Sequence, residues 1–291
     1  MKVVVTGAGG QLGTDLVESL RDNGDEVVGF DRAALDIGNA EQARATLAAE
    51  GPDWIVNCAA YTNVDGAESD AEGAFAVNRD GAANVAAAAA GCGARLVHVS
   101  TDYVFDGNQS RPWQESDPAS PLGIYGQSKW AGEQAVRATV PGAVILRTAW
   151  VYGAHGRNFA KTILRLAAER DSLSVIDDQV GCPTWTGDIC TAIAALIGAE
   201  ASGIYHFTNE GVASWYDFAT AIVEEGRTQG FDLRAGVHPI PTEDYPLPAP
   251  RPAYSVLSKR KIRPLLDAPI PHWRASLRAM LKELKACADC S

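Results

Sequence analysis

The chain has 291 residues, 46% of them hydrophobic and 21% charged, with a net charge of −11. That length suits one large α/β domain, or such a domain with a smaller lobe. No apolar run approaches the roughly eighteen residues of a membrane span, no signal-peptide pattern precedes the first strand, and no broad basic face is available for nucleic acid; a cytoplasmic protein acting on a small molecule is expected.

Short β-rich apolar runs alternate with helical patterns. The predicted strands are "KVVVT" (2–6), "EVVGF" (26–30), "WIVNCAA" (54–60), "RLVHVS" (95–100) and "AVILRTA" (143–149). Leu12, Leu16, Val17 and Leu20 share one face of a helix between the first two. Further helices are predicted over 39–50, about 66–91 and about 125–138. Continuously apolar strands separated by helices indicate a parallel sheet covered on both faces. The right-handed crossover rule makes it a doubly wound, Rossmann-type α/β fold.

The pattern changes after residue 150. A helix is predicted over 158–169, strands over 173–177 and 204–208, and a helix over 214–226 that opens with a capping-box spacing, Ser214 to Asp217. The proline-rich stretch 237–252 reads as an extended surface loop, and the last helix as 272–286. Residues 1–150 are expected to form an NAD(P)-binding domain. Residues 151–291 are expected to form a smaller substrate-binding α/β lobe interleaved with it.

The six cysteines do not form a disulfide framework. Cys287 and Cys290 make a C-x-x-C near the end, but a zinc site needs two more ligands and no second Cys pair exists. His98, His155, His206, His238 and His272 have no metal-ligand spacing. No metal is expected.

"VTGAGGQLG" (5–13) follows the first strand and opens the first helix, so Gly7, Gly10 and Gly13 form G-x-x-G-x-x-G. Glycines there allow a tight turn and close approach to a pyrophosphate, which backbone N–H groups at the helix start then face. Asp31 ends the second strand and suits the ribose hydroxyls of NAD. Arg32 beside it suits the 2′-phosphate of NADP, so either nicotinamide, NADPH or NADH, is admitted. "IYGQSKW" (124–130) contains Tyr125 and Lys129 in Y-x-x-x-K. Alone, that spacing says only that two side chains share a helix face.

Together, the glycine loop and Y-x-x-x-K resemble the extended short-chain dehydrogenase/reductase superfamily. Six stretches narrow the resemblance to the dTDP-4-dehydrorhamnose reductase family: "VNCAAYTNVDGAE" (56–68), "VHVSTDYVFDG" (97–107), "SPLGIYGQSKWAGE" (120–133), "LRTAWVYG" (146–153), "DDQVGCPT" (177–184) and "PAPRPAYSVL" (248–257). They run in family order along nearly the whole chain. The resemblance implies reduction of the C4 ketone of dTDP-4-dehydro-L-rhamnose to dTDP-L-rhamnose by NAD(P)H.

It further implies Thr101, Tyr125 and Lys129 as the catalytic set. Tyr125 would donate the proton, and Lys129 would stabilise the phenolate and hold the nicotinamide ribose. Lowering a tyrosine from its free value of about 10 to near 7 takes about 4 kcal/mol of phenolate stabilisation. Gln11 and Leu12, with the glycines, would meet the pyrophosphate. Asp31, Asp36 and Ile37 would line the adenosine end, and Ala59, Ala60 and Tyr61 would run along the cofactor. Asp102, Tyr103 and Trp150 would touch the sugar, although Trp150 equally suits a core position. Arg251 would clamp the diphosphate, since a guanidinium matches phosphate oxygens bidentately, or it is a loop arginine. Asn158 and Gln179 are further substrate candidates.

Some bacterial members of the family dimerise around a metal held by glutamates. Asp15 lies near one such place and no other acid is matched, so a monomer or a homodimer is expected. Other nucleotide-sugar enzymes and the regulatory β subunit of methionine adenosyltransferase share this fold. The intact Thr101, Tyr125 and Lys129 set argues against the regulatory role.

Overall fold

A computed structural model describes residues 1–289. The first half comprises β1 (Lys2–Thr6), α1 (Gln11–Asp22), β2 (Glu26–Phe30), α2 (Ala40–Glu50) and β3 (Trp54–Asn57). Then come α3 (Val64–Ser69), α4 (Ala71–Phe75), a π-helical stretch Ala76–Gly81, α5 (Ala82–Cys92), β4 (Arg95–Thr101), α6 (Ile124–Thr139) and β5 (Val144–Thr148). The second half adds β6 (Val151–Tyr152), α7 (Phe159–Glu169), β7 (Ser172–Ile176), β8 (Val180–Gly181), β9 (Thr184–Trp185) and α8 (Thr186–Gly198). It ends with β10 (Gly203–His206), β11 (Ala213–Ser214), α9 (Trp215–Thr228), β12 (Gly236–Ile240) and α10 (Trp273–Asp289).

Six strands form one parallel sheet in the order β10-β5-β4-β3-β1-β2. Order reverses beside β1, so β1 and β3 flank a switch point at their carboxyl ends, where such sheets bind ligands. Leu12, Leu16, Val17 and Leu20 of α1 are buried against this sheet together with Ile189, Ile193 and Leu196 of α8. Leu47, Val85, Ala86 and Ala89 cover the opposite face. Each fully buried leucine contributes about 1.5–3 kcal/mol by leaving water. Strand β10 and helix α8 thus come from beyond residue 150 and complete the sheet and one of its layers.

Local chemistry fixes the element ends. The Asn39 side chain accepts from the Gln42 N–H at 3.0 Å and starts α2, which stops at Gly51 in the left-handed region. Ser214 and Asp217 form the expected capping box of α9. Two expectations change. The helix predicted over about 66–91 starts earlier, capped by Asn63, and is divided at Asp70, which caps a new start, and again by the π-helical stretch Ala76–Gly81. The stretch from residue 237 does not begin as a loop: Gly236–Ile240 pairs parallel with β7. Pro239 is accommodated because this is a two-stranded sheet with edges on both sides.

Phe218, Leu277 and Met280 anchor a separate core under α9 and α10. Among the described residues no helix is long and apolar enough to cross a membrane. The C-x-x-C expectation falls on Cys287 and Cys290, whose side chains lie outside the described residues.

Candidate active site

A cavity of about 1510 Å³ opens at the carboxyl ends of β1, β3, β4 and β5. The glycine loop forms one end of it. Gly7 has φ +72°, and a Cβ there would stand 2.6 Å from the Ala59 backbone nitrogen. A Cβ on Gly13 would be driven into the Gly7 carbonyl. Gly10 caps α1 without a side chain to accept its first N–H groups, so Gln11 and Leu12 present theirs at a positive helix end. A dinucleotide pyrophosphate fits this cradle, whose backbone any side chain at Gly7 or Gly13 would push out of place.

The residues expected at the adenosine end line one wall of the cavity. Asp31 lines the cavity and accepts the Ala34 N–H on Oδ1 at 2.8 Å. Arg32 is exposed and makes no ion pair among the described residues. Asp36 and Ile37 line the same wall, with the Asp36 carboxylate accepting from the Gly38 N–H at 2.9 Å. Ala59, Ala60 and Tyr61 follow β3 along the floor.

A residue not singled out from sequence fixes that floor. The buried Asn78 side chain accepts from the Tyr61 N–H at 2.8 Å and donates to the Tyr61 carbonyl at 3.0 Å. It also donates to the Ser128 hydroxyl at 3.0 Å. It therefore ties the 59–61 segment to α6, the helix of Tyr125 and Lys129. No sequence pattern marks Asn78.

Thr101, Tyr125 and Lys129 all line the cavity. Thr101 ends β4, and its hydroxyl donates to the Asp102 carboxylate at 3.0 Å. Tyr125 opens α6 and meets the edge of Tyr103 at a ring separation of 5.5 Å. Lys129 follows one turn later, 3% exposed, with its ammonium 2.7 Å from the Val99 carbonyl. Burial pushes the Lys129 pKa down to about 8, against the raising charge of Glu133.

The protein alone does not bring Tyr125 toward 7. Burial pushes its phenol up to about 12, a hydrogen bond with Thr101 opposing this. At that value the phenol stays loaded at neutral pH but is a weaker acid, so transfer of its proton leans on stabilisation of the phenolate left behind. Asp102 is also buried, at 1% exposure, and burial raises its pKa to about 6. Its second oxygen has no partner among the described residues.

Trp150 lines the cavity in the left-handed region at φ +49°. Its indole stacks on Trp215 with centroids 3.5 Å apart and planes 5° apart. Gln179 is buried, its amide donating to the Thr242 hydroxyl at 3.0 Å. Asn158 caps α7, and its amide nitrogen donates to Gln11 at 2.9 Å and the Gly153 carbonyl at 2.8 Å. Both its donors are thus used within the chain. Arg251 lines the cavity held by Asp65, at 3.0 and 2.8 Å; Asp65 sits in the quoted "VNCAAYTNVDGAE" stretch but was not assigned a role from sequence.

One cluster lies away from this site. Asp15, His155 and Glu283 bring a ligand atom each within 4.8 Å of one another, a grouping compatible with a cation. Linear spacing cannot reveal it, since three distant segments supply it.

This geometry coincides with detailed likeness to known proteins. A family model described as "RmlD substrate binding domain" matches residues 1–286. The chain belongs to that family. It is 43% identical over 288 residues to the spore coat polysaccharide biosynthesis protein SpsK of Bacillus subtilis, covering 99% of each. It is 42% identical over 296 residues to the dTDP-4-dehydrorhamnose reductase of Burkholderia thailandensis, covering 98% of this chain and 99% of that one. A crystal structure of dTDP-4-dehydrorhamnose reductase from Bacillus anthracis in complex with NADP superposes with a TM-score of 0.92 at 39% identity, covering 97% of this chain and 99% of that one.

Proposed function

We propose that this RmlD-family chain is an NAD(P)H-dependent oxidoreductase that reduces the C4 ketone of dTDP-4-dehydro-L-rhamnose to dTDP-L-rhamnose. The observation that carries the reading is the placement of Thr101, Tyr125 and Lys129 in one cavity with the Gly7–Gly13 cradle. The full-length likeness to named reductases supports the substrate.

When bound, the reduced nicotinamide supplies a hydride to the carbonyl carbon. The chain's residues handle the oxygen. Tyr125 donates its phenolic proton to it as negative charge develops, and the Lys129 ammonium stabilises the phenolate left behind. Thr101 holds the oxygen beside Tyr125. Asp31, Asp36 and Ile37 bind the adenosine half, with Arg32 available to a 2′-phosphate. Asp102, Tyr103 and Trp150 bind the sugar, and Arg251, Gln179 and Asn158 border the nucleotide.

Residues 1–150 hold the cofactor and residues 151–291 close over the sugar nucleotide. The enzyme works in the cytoplasm on a small molecule, as a monomer or homodimer, without a nucleic-acid or membrane partner. The decisive test follows cofactor absorbance with enzymatically prepared dTDP-4-dehydro-L-rhamnose and either NADPH or NADH. Stoichiometric oxidation with formation of dTDP-L-rhamnose is expected. Folded, cofactor-binding protein that turns over neither combination would overturn the assignment.

A further inference from the structure

Glu133 lies one turn beyond Lys129 on α6, as Lys129 lies one turn beyond Tyr125. The three therefore share a face. Glu133 is 0% exposed, and Arg147 of β5, which faces it, is 1% exposed. The Arg147 Nε and Nη2 atoms donate to the two Glu133 oxygens at 2.9 and 2.7 Å. The Ser100 hydroxyl donates to Glu133 Oε1 at 2.6 Å. The guanidinium also lies over the Phe105 ring at 5.1 Å and reaches His206 Nε2 at 3.5 Å. Burial lowers His206 to about 3, so the ring is neutral and adds no charge.

A buried ion pair is a costly way to join a helix to a sheet. Apolar side chains of similar volume hold such contacts as well or better. This pair lies directly behind the reacting groups: Arg147 of β5 is in register with Ser100, the strand residue before Thr101, and Glu133 stands one helical turn beyond Lys129. We propose that Glu133 and Arg147 are a positioning pair that fixes Ser100, and through it Thr101, against the Tyr125–Lys129 face of α6 and keeps Lys129 charged.

The groups facing Lys129 support this. Cys58 follows β3, and burial pushes its thiol up to about 12, so it is neutral. His98 of β4 is neutral as well, burial lowering its pKa well below the usual value. Tyr125 is protonated, as above; Asp102 ionises above about 6, but the carboxylate whose charge raises Lys129 is Glu133. The charges on residues 64–81, packed against α6, are committed elsewhere. Asp65 holds Arg251, Glu68 accepts the Ile124 N–H, Asp70 caps α4, Arg79 pairs with Asp80, and Glu72 is exposed. Glu133 is then the full negative charge closest to Lys129 along its helix, offsetting its desolvation, and Arg147 makes that charge tolerable in the interior.

The inference rests on the catalytic reading of Lys129, so its test needs a readout that does not require turnover. Lys129 is followed by ¹³C-lysine NMR through pH 6 to 11, assigned with Lys129→Arg. The proteins are wild type, Glu133→Gln, and the doubly apolar Glu133→Leu/Arg147→Met. Glu133→Gln leaves Arg147 unpaired and should move the Lys129 titration down by about one unit, as loss of a nearby opposite charge does. The double variant removes both charges and should fall between the other two. The high-pH limb of kcat/KM should move in the same order.

Ser100→Ala leaves the pair in place; it should lower kcat several-fold without moving the titration or the KM for NAD(P)H. A purely structural pair would change stability and leave the Lys129 titration where it is. Should Glu133→Gln fail to fold, the double variant decides alone. A Lys129 midpoint in it within about 0.3 units of wild type overturns the inference. If the titration shifts but no variant, wild type included, turns over the sugar nucleotide, the proposed function fails and the electrostatic link stands.

Discussion

Asp65 grips Arg251 with both carboxylate oxygens, at 3.0 and 2.8 Å, and takes the Ala249 N–H at 3.2 Å as well. Arg251 holds the Asp65 carboxyl below its usual range, against burial. The segment that carries Arg251 is thereby tethered to α3 before any sugar nucleotide arrives, and its cation is already aimed into the cavity. Arg251→Met should raise the KM for the dTDP-sugar on the order of 10–100-fold, as loss of charge-assisted hydrogen bonds does. The Kd for NADPH should not change. Arg251→Lys should fall between, keeping the charge but losing the fork. An unchanged KM in Arg251→Met would leave the arginine as a tether only.

Tyr125→Phe tests the proton donor. The phenol, at about 12, remains protonated throughout the working range, so the variant loses a loaded acid rather than a rare ionised form. Steady-state kcat for reduction should fall by about 10²–10⁴, with little change in Tm. In wild type, kcat/KM should be level through neutral pH and decline on the alkaline side, as Lys129, at about 8, loses its charge. That limb should vanish from the residual activity of Lys129→Met. A wild-type rate in Tyr125→Phe would remove the tyrosine from the mechanism.

The sheet and the cofactor cradle were legible because both are written locally. Apolar runs such as "KVVVT" and the helix face Leu12, Leu16, Val17 and Leu20 specify β1 and α1 without help from distant residues. The glycines specify the loop between them. What the sequence hid depends on chain-distant partners. Asp65 acquires its role from a residue 186 positions away, Asn78 from Tyr61 and Ser128, and Glu133 from Arg147. The cap at Asn63 and the capped break at Asp70 were visible as residue types but overruled by the helical pattern around them. Strand β12 was read as loop because Pro239 and the prolines that follow the strand discourage pairing, yet an edge position tolerates Pro239. The tyrosine's raised pKa is a burial effect, and burial depth is not a property of a motif.

Asp102 links stability to pH. Its folded pKa, about 6, lies above the unfolded value of about 3.9. The folded state therefore binds the proton more tightly between those values. Stability is lost as pH rises from about 4 through about 6, and the loss is complete above it. Its size is on the order of 2–3 kcal/mol as an upper bound, at about 1.36 kcal/mol per unit. Asp102→Asn should raise Tm at pH 7.5 and leave it unchanged at pH 4, while lowering kcat/KM because the sugar loses an ionised acceptor. Thermal unfolding of both proteins across pH 4–8 measures this. A Tm difference that does not grow between pH 4 and 7 would contradict a buried charge at this position.

Trp150 is held by a space only glycine leaves. A Cβ at Gly181 would stand 2.6 Å from Trp150 Cε2 and 2.7 Å from Nε1. The indole cannot retreat without breaking its 3.5 Å stack on Trp215, and its backbone is already strained at φ +49°. Gly181→Ala should therefore tip the indole into the sugar end of the cavity. Overpacking of this kind costs about 1–3 kcal/mol, so the fold should survive with a lower Tm. The effect on catalysis should be larger: kcat/KM down on the order of tenfold or more, since misplacing a substrate wall costs reactive geometry, with a changed tryptophan emission spectrum. Gly142→Ala is the control, because a Cβ there meets nothing within 4 Å. It should match wild type in rate and emission. If Gly181→Ala lowers Tm but keeps the wild-type rate, Trp150 belongs to the core and not to the sugar site.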